Sequence, residues 1–325
     1  MTREEGHAAA PHARNADVVS LGILVADVVV RKVDRLPERG TLALVDELAL
    51  RGGGGALSAS TWLAGWGLRV SAVGKLGLDP FGDFLHALLV ERGIRPDGVI
   101  RVDDVPTSAS VALVDSTGDR TFLHLPGANG ALHAEELDEN VLFGGRALLY
   151  TGALVMPGLD GEPAAAILAE CRRRGIVTAL DTVFDPSGNW SRILPALEHV
   201  DLFMPALAEA RGITGCDDPR DACLWLRQRG VREVAVKLGE HGCFGMGPDF
   251  DGPVGAVPVD ALDGTGAGDA FVAGALYGKL AGWPFERSLR LANAAGAYAT
   301  TSIGAVDRAV PIAELAGLDQ QGAFA

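Results

Sequence analysis

The sequence predicts an α/β protein with a mostly parallel central sheet covered by helices, and a small β element exposed beside it. Three observations carry this expectation. From Ala147 onward, strand-like runs at 147–151, 176–181, 200–204 and 233–238 are separated by helical stretches near 162–174, 206–212 and 219–229, the alternation of parallel strands and crossover helices. Residues 17–30 form a continuous Val-rich run, expected of one strand buried on both faces. Two further segments, 31–50 and 106–125, mix charges, turn formers and short alternating apolar pieces, which predicts exposed strands that together form a lid.

Along the chain, residues 1–16 are polar and Ala-rich and read as a tail; residues 17–320 read as one domain. Asp79-Pro80-Phe81 opens a helix, with Asp as N-cap, Pro in the first turn, and Phe81, Phe84, Leu85, Leu88 and Leu89 at helical spacing until Gly93. Ser108 to Asp115 and Arg120 to Leu125 read as a hairpin around Ser116-Thr117-Gly118-Asp119. Two long helical stretches, about 266–281 and 284–301, close the domain.

The 325 residues, 48% apolar and 22% charged, exclude disordered, collagen-like and disulfide-scaffold classes. A net charge of −14 with scattered basic residues argues against nucleic acid as a partner. Four cysteines without metal-type spacing read as reduced thiols of a cytoplasmic protein. The apolar run from Val18 to Val30, broken by Ser20 and Asp27, is too short for a bilayer. His86, His124, His133, His199 and His241 share no spacing and are assigned no role.

The chemistry concentrates in Asp263-Gly264-Thr265-Gly266-Ala267-Gly268-Asp269-Ala270-Phe271, which runs directly into a helix. Small residues at a helix N-terminus leave backbone N–H groups bare, and the helix dipole adds positive potential, so the segment is an anion site. An acid there, Asp269, is repelled by the anion unless its task is to take a proton from an attacking hydroxyl. That pairing describes phosphoryl transfer, with backbone donors holding the charge and the Asp as general base. An ordinary capping acid is the bland alternative. A dinucleotide fingerprint fails because Asp269 fills the third Gly position, and no GxxxxGK[ST] occurs. Lys237 sits at the carboxyl end of a predicted parallel strand, and with four lysines in the chain it is a candidate to reach a phosphate.

With these residues in place, the sequence resembles the ribokinase-like (PfkB) carbohydrate kinase family over nearly its whole length. The string Asp263 to Phe271 is similar to that family's C-terminal signature. Gly52-Gly53-Gly54-Gly55, Val73-Gly74-Lys75-Leu76-Gly77 and Asp79-Pro80-Phe81-Gly82 are similar to its N-terminal signature. Pro126-Gly127-Ala128-Asn129 and Ala292-Asn293-Ala294-Ala295-Gly296-Ala297 also fit.

The resemblance implies a three-layer α/β/α fold with a β lid, and an ATP-dependent, Mg2+-requiring transfer of phosphate to a sugar hydroxyl. Asp269 would be the base and Gly266, Ala267 and Gly268 the anion hole. Asp27, Gly53, Gly54, Ser58 and Asn129 would bind the acceptor, and a lone carboxylate in a buried run independently suggests a ligand-facing role for Asp27. Lys237, Gly239, Thr265, Gly266, Gly268 and Asn293 would line the ATP site, and Glu209 would lie near the metal. The chain departs from the family at Ser58 and Ala206, where Asn is usual. Ser302-Ile303-Gly304-Ala305 matches a K+ site loosely. The implied partner is a second copy paired through the lid, the alternative acceptor is a nucleoside, and the rival from another class is a catalytically weak sugar- or nucleotide-binding protein.

Overall fold

The computed structural model describes residues 14–116, 120–302, 304 and 308–318. Most of the expected tail, the tip of the 116–119 turn, Ile303 and Ala305 of the K+ segment, and 319–320 of the expected domain lie outside the described residues.

The Val-rich run is two strands rather than one. β1 (Val18–Gly22) is buried on both faces, the chain bends at Ile23-Leu24, and β2 (Val25–Arg31) enters a different sheet. Continuous apolarity carries no mark of such a bend, because both strands need Val-rich sequence. The bend is held from outside. Asn129 accepts from the Leu24 N–H at 3.1 Å and donates to the Leu24 carbonyl at 2.9 Å, so its amide replaces the ladder partners that Leu24 lacks. Gly54, at φ 86°, lies against the Ile23 carbonyl, where any Cβ would collide.

The small sheet has the order β3-β2-β6-β7, from β3 (Glu47–Gly53), β6 (Ala109–Val114) and β7 (Arg120–Leu125). The expected span 31–50 is therefore shifted: residues 32–46 hold no strand, and the strand carrying Asp27 belongs to the small sheet. The 106–125 hairpin forms as expected.

Among the described residues the main sheet has nine strands in the order β13-β12-β11-β10-β9-β8-β1-β4-β5. These are β4 (Val70–Gly77), β5 (Arg95–Val102), β8 (Ala147–Ala153), β9 (Val177–Thr182), β10 (Leu202–Phe203), β11 (Glu233–Lys237), β12 (Cys243–Met246) and β13 (Asp251–Val254). Strands β5 to β11 in that order are parallel, and β12 and β13 add an antiparallel edge that the Gly- and Pro-containing sequence does not announce. Two apolar clusters cover the sheet. One packs it on α1 (Gly55–Gly65), α2 (Pro80–Glu91), α8 (Ala267–Leu280), α9 (Phe285–Ala299) and α10 (Ile312–Leu318). The other packs it on α5 (Glu162–Arg173), α6 (Leu207–Thr214) and α7 (Pro219–Arg227), and the short α3 (Gly127–Gly130) and α4 (Glu139–Leu142) complete the helices. The result is three layers, α/β/α. Asp79 caps α2 as expected, accepting from Gly82 N–H at 2.8 Å.

Because the bend at Leu24 joins the two sheets, Asn129→Ala is expected to strip two buried backbone groups of their partners and cost about 2–4 kcal/mol in denaturant unfolding. A loss below about 1 kcal/mol would show that the bend holds itself.

Candidate active site

The carboxyl ends of β1, β8, β9 and β11, the start of α8 and one face of the small sheet meet at one place. Gly266 adopts φ 76° and Ala267 begins α8, so Asp269 stands in the first turn. The Asp269 carboxyl is pushed up to about 6, chiefly by burial, while Lys237 and the Ser58 hydroxyl of α1 pull it down. Ser58, expected to reach an acceptor, thus rests against the expected base, and it is almost fully buried. Of the expected anion-hole amides, Ala267 N–H is turned back to the Gly264 carbonyl at 3.3 Å. The early N–H groups of a helix lack intrahelical acceptors, which leaves Gly266 and Gly268 as the donors of this segment. Thr265 is already engaged: its N–H and hydroxyl bond Asp263 at 2.9 and 2.8 Å, and Arg120 of β7 contacts its hydroxyl.

Lys237 ends β11 and pairs with Asp181 at the end of β9, Nζ to Oδ1 2.6 Å. A Cβ on Gly268 would stand 3.6 Å from Nζ, so the ammonium lies beside the expected anion hole. Burial pushes Lys237 down, but Asp181, Glu209 and Asp269 outweigh it, and the ammonium stays protonated. Asp181 is itself pushed up to about 7, first by burial, against the pull of Lys237. Sequence reading missed Asp181; the available signal was a carboxylate closing an apolar strand, the same signal that marks Lys237.

Glu209 is buried at the start of α6, where Oε2 accepts from Thr182 Oγ1 at 2.8 Å and Ala206 N–H at 2.7 Å. It therefore caps its own helix. Among the described residues no three metal-ligating side chains cluster. Asn293 donates to the carbonyls of Val254 and Gly255 at 3.1 and 2.9 Å, so its amide fastens the chain after β13. Gly239, at φ 61°, lies exposed just beyond β11. Gly304 N–H donates to Asp263 at 2.7 Å.

On the small sheet, Asp27 lies over Gly53, where a Cβ would collide with Oδ2. The neighbouring Gly52 faces the other way, against Leu57, Leu85 and Leu88. One face of this sheet thus packs on α1 and α2 while the opposite face carries Asp27 toward Asp269. Burial pushes Asp27 up to about 6; Ser110 pulls it down and Asp269 pushes it further up. The amide of Asn129, expected at the acceptor, is committed to Leu24 instead. Arg120 ties β7 to the loop before α8 through Asp263 at 2.8 Å, a link between the two sheets that no sequence feature marks.

A carboxyl whose pKa is higher folded than unfolded stabilises the fold fully below its unfolded value, and that contribution is lost as pH rises through about 6. Asp27→Asn is therefore expected to raise Tm by about 2 °C at pH 8 and to leave it unchanged at pH 4. A lower Tm for the variant at pH 8 in thermal scans would show that the ionised carboxylate is satisfied in place.

Residues 15–313 match the family described as pfkB family carbohydrate kinase. An uncharacterized sugar kinase of Archaeoglobus fulgidus is 32% identical over 74% of this chain and 94% of that protein. The ATP-dependent ribose-1-phosphate kinase of Halopiger xanaduensis is 31% identical over 91% of this chain and 95% of that one. The fold is shared with Arabidopsis thaliana ribokinase complexed with ribose and ATP, at TM-score 0.80 and 23% identity, covering 93% and 98% of the two chains. Among the described residues no helix is long and apolar enough to cross a membrane. By the family match over residues 15–313 and these relatives, the chain belongs to the pfkB family of carbohydrate kinases, phosphotransferases with an alcohol group as acceptor.

Proposed function

We propose that this kinase transfers the γ-phosphate of ATP to a hydroxyl of a small uncharged sugar, with Asp269 as general base. The observation that carries the reading is the Asp269 carboxyl, raised to about 6 in the first turn of α8, with Lys237 beside it and Asp27 across the site. A base of near-neutral pKa is matched to its task. Asp269 takes the proton of the acceptor hydroxyl as that oxygen bonds the γ-phosphorus and the bond to the ADP oxygen breaks. The N–H groups of Gly266 and Gly268 and the Lys237 ammonium hold the charge on the moving phosphoryl group. Asp27 accepts hydrogen bonds from other hydroxyls of the acceptor, and Gly53 gives its carboxylate room.

Kinases of this family use ATP with Mg2+, and an Escherichia coli neighbour holds both at TM-score 0.81 and 22% identity. The donors present fit an ion held mainly by phosphate and water: Glu209 keeps Oε1 unengaged among the described residues and would supply one carboxylate, so Ala206 in place of Asn removes no essential ligand. Bound there, the ion would neutralise phosphate charge. The four cysteines are free thiols, which suits the reducing cytoplasm we assign.

The small sheet acts as a lid over the acceptor and excludes water when closed. The small sheet exposes Leu48, Phe122 and Leu123, and the 32–46 connection between β2 and β3 exposes Leu42 and Leu44. We assign this apolar surface to a second copy of the chain, since a monomer gains nothing from leaving it wet.

Coupled ADP release over pentoses, hexoses, phosphosugars and nucleosides is expected to be fastest with a free sugar. With that acceptor, Asp269→Asn lowers kcat by about 10²–10⁴ while ATP binding persists. Near-wild-type turnover in the variant would remove the base. Preference for a nucleoside would turn Leu42, Leu44 and Leu125 into base contacts, and binding without turnover of any acceptor would favour the binding-protein reading. Light scattering is expected to give twice the monomer mass, reduced to the monomer by Leu42→Asp with Leu44→Asp; a monomeric wild type would contradict the pairing.

A further inference from the structure

The registers of the small sheet bring four polar side chains into one row. Asp27 stands opposite Arg51 of β3 and beside Ser110 of β6, and Ser110 stands opposite His124 of the edge strand β7. Register partners share a face of the sheet, so the row lies on the Asp27 side, away from α1 and α2. Three of its members, Asp27, Ser110 and His124, are connected. The Ser110 hydroxyl hydrogen-bonds the Asp27 carboxylate, and His124 Nδ1 lies 3.0 Å from Ser110 Oγ. A hydroxyl has a single proton to give. Since Ser110 gives it to Asp27, the contact with His124 requires Nδ1 to be the donor. His124 therefore carries its proton on Nδ1, and Nε2 keeps its lone pair. Ser110 is buried, so its orientation is set by these two neighbours rather than by water, whereas His124 is exposed at the sheet edge.

We propose that His124 is a positioning residue for acceptor specificity: through Ser110 it fixes the Asp27 carboxylate as a hydrogen-bond acceptor, which selects uncharged substrates that present hydroxyl donors. The inference rests on the reading of Asp27 as an acceptor ligand and adds to it the group that orients Asp27. Without the Nδ1 donor, the Ser110 hydroxyl is free to turn, and the carboxylate loses its fixed direction along with the bond. The relay touches neither the anion hole nor Lys237, so ATP handling is independent of it.

Two measurements decide. In the ligand-free protein, imidazole 15N shifts are expected to show His124 as the Nδ1-protonated neutral tautomer; the Nε2-protonated tautomer overturns the proposal, whatever the enzyme's substrate proves to be. In steady-state kinetics with the best acceptor, Ser110→Ala and His124→Phe are each expected to raise the acceptor KM about tenfold while kcat and the KM for ATP stay within about twofold. His124→Asn, whose carboxamide N–H stands where Nδ1 stood, is expected to recover most of the loss. An unchanged acceptor KM in His124→Phe, or no recovery in His124→Asn, overturns the relay, because a ring that merely fills space is better replaced by Phe. A wild type that turns over no acceptor contradicts the functional reading instead, and the tautomer then decides the relay alone.

Discussion

The ammonium of Lys237, buried among the carboxylates of Asp181, Glu209 and Asp269, is the interaction on which the rest of the site depends. Three elements converge on it: β9 brings Asp181, α6 brings Glu209, and α8 brings Asp269. Buried acids without a cation would protonate, and a buried Lys without acids would lose its proton. Together they leave Lys237 charged beside bare backbone amides, and they leave Asp269 poised near 6, high enough to accept a proton and low enough to be ionised at neutral pH. The same arrangement stores free energy at the site, since each raised carboxyl opposes folding once ionised.

The acceptor side is organised by a different constraint, the bend at Ile23-Leu24. A main-sheet strand continues into the small sheet only because Asn129 completes the hydrogen bonds of Leu24 and Gly54 makes room for the Ile23 carbonyl. This places Asp27 opposite Asp269 within a few residues of β1. Arg120 joins the far edge of the small sheet to the loop before α8 through Asp263. The small sheet is thus tied at one end to the centre of the main sheet and at the other to the loop before α8, the proposed anion hole.

Much of this was legible in the sequence where local chemistry is unusual. Asp263 to Asp269 announces itself because small residues before a helix have a direct electrostatic meaning, and Asp27 because a carboxylate breaks an apolar run. Alternating patterns gave the crossover strands and helices within a few residues. Features set by register or tertiary pairing were not legible. The split of 17–30 into two strands changes no residue type. Asp181 becomes notable only when folding places Lys237 beside it, and Ser110 and His124 only when β2, β6 and β7 align. Asn129 and Asn293 stand out in the sequence, and the backbone carbonyls their amides hold are visible only in the fold. A side chain's type marks it as polar and buried; its partner comes from the fold.

The central claim is that the start of α8 holds the migrating phosphoryl group while Asp269 faces the attacking hydroxyl. The most direct test is a crystal structure with a non-hydrolysable ATP analogue and a sugar acceptor. The account predicts the terminal phosphate against the Gly266 and Gly268 N–H groups, with one sugar hydroxyl within hydrogen-bond reach of both Asp269 and the line of attack. A terminal phosphate bound away from the start of α8, or an acceptor whose hydroxyls all lie beyond reach of Asp269, would contradict it.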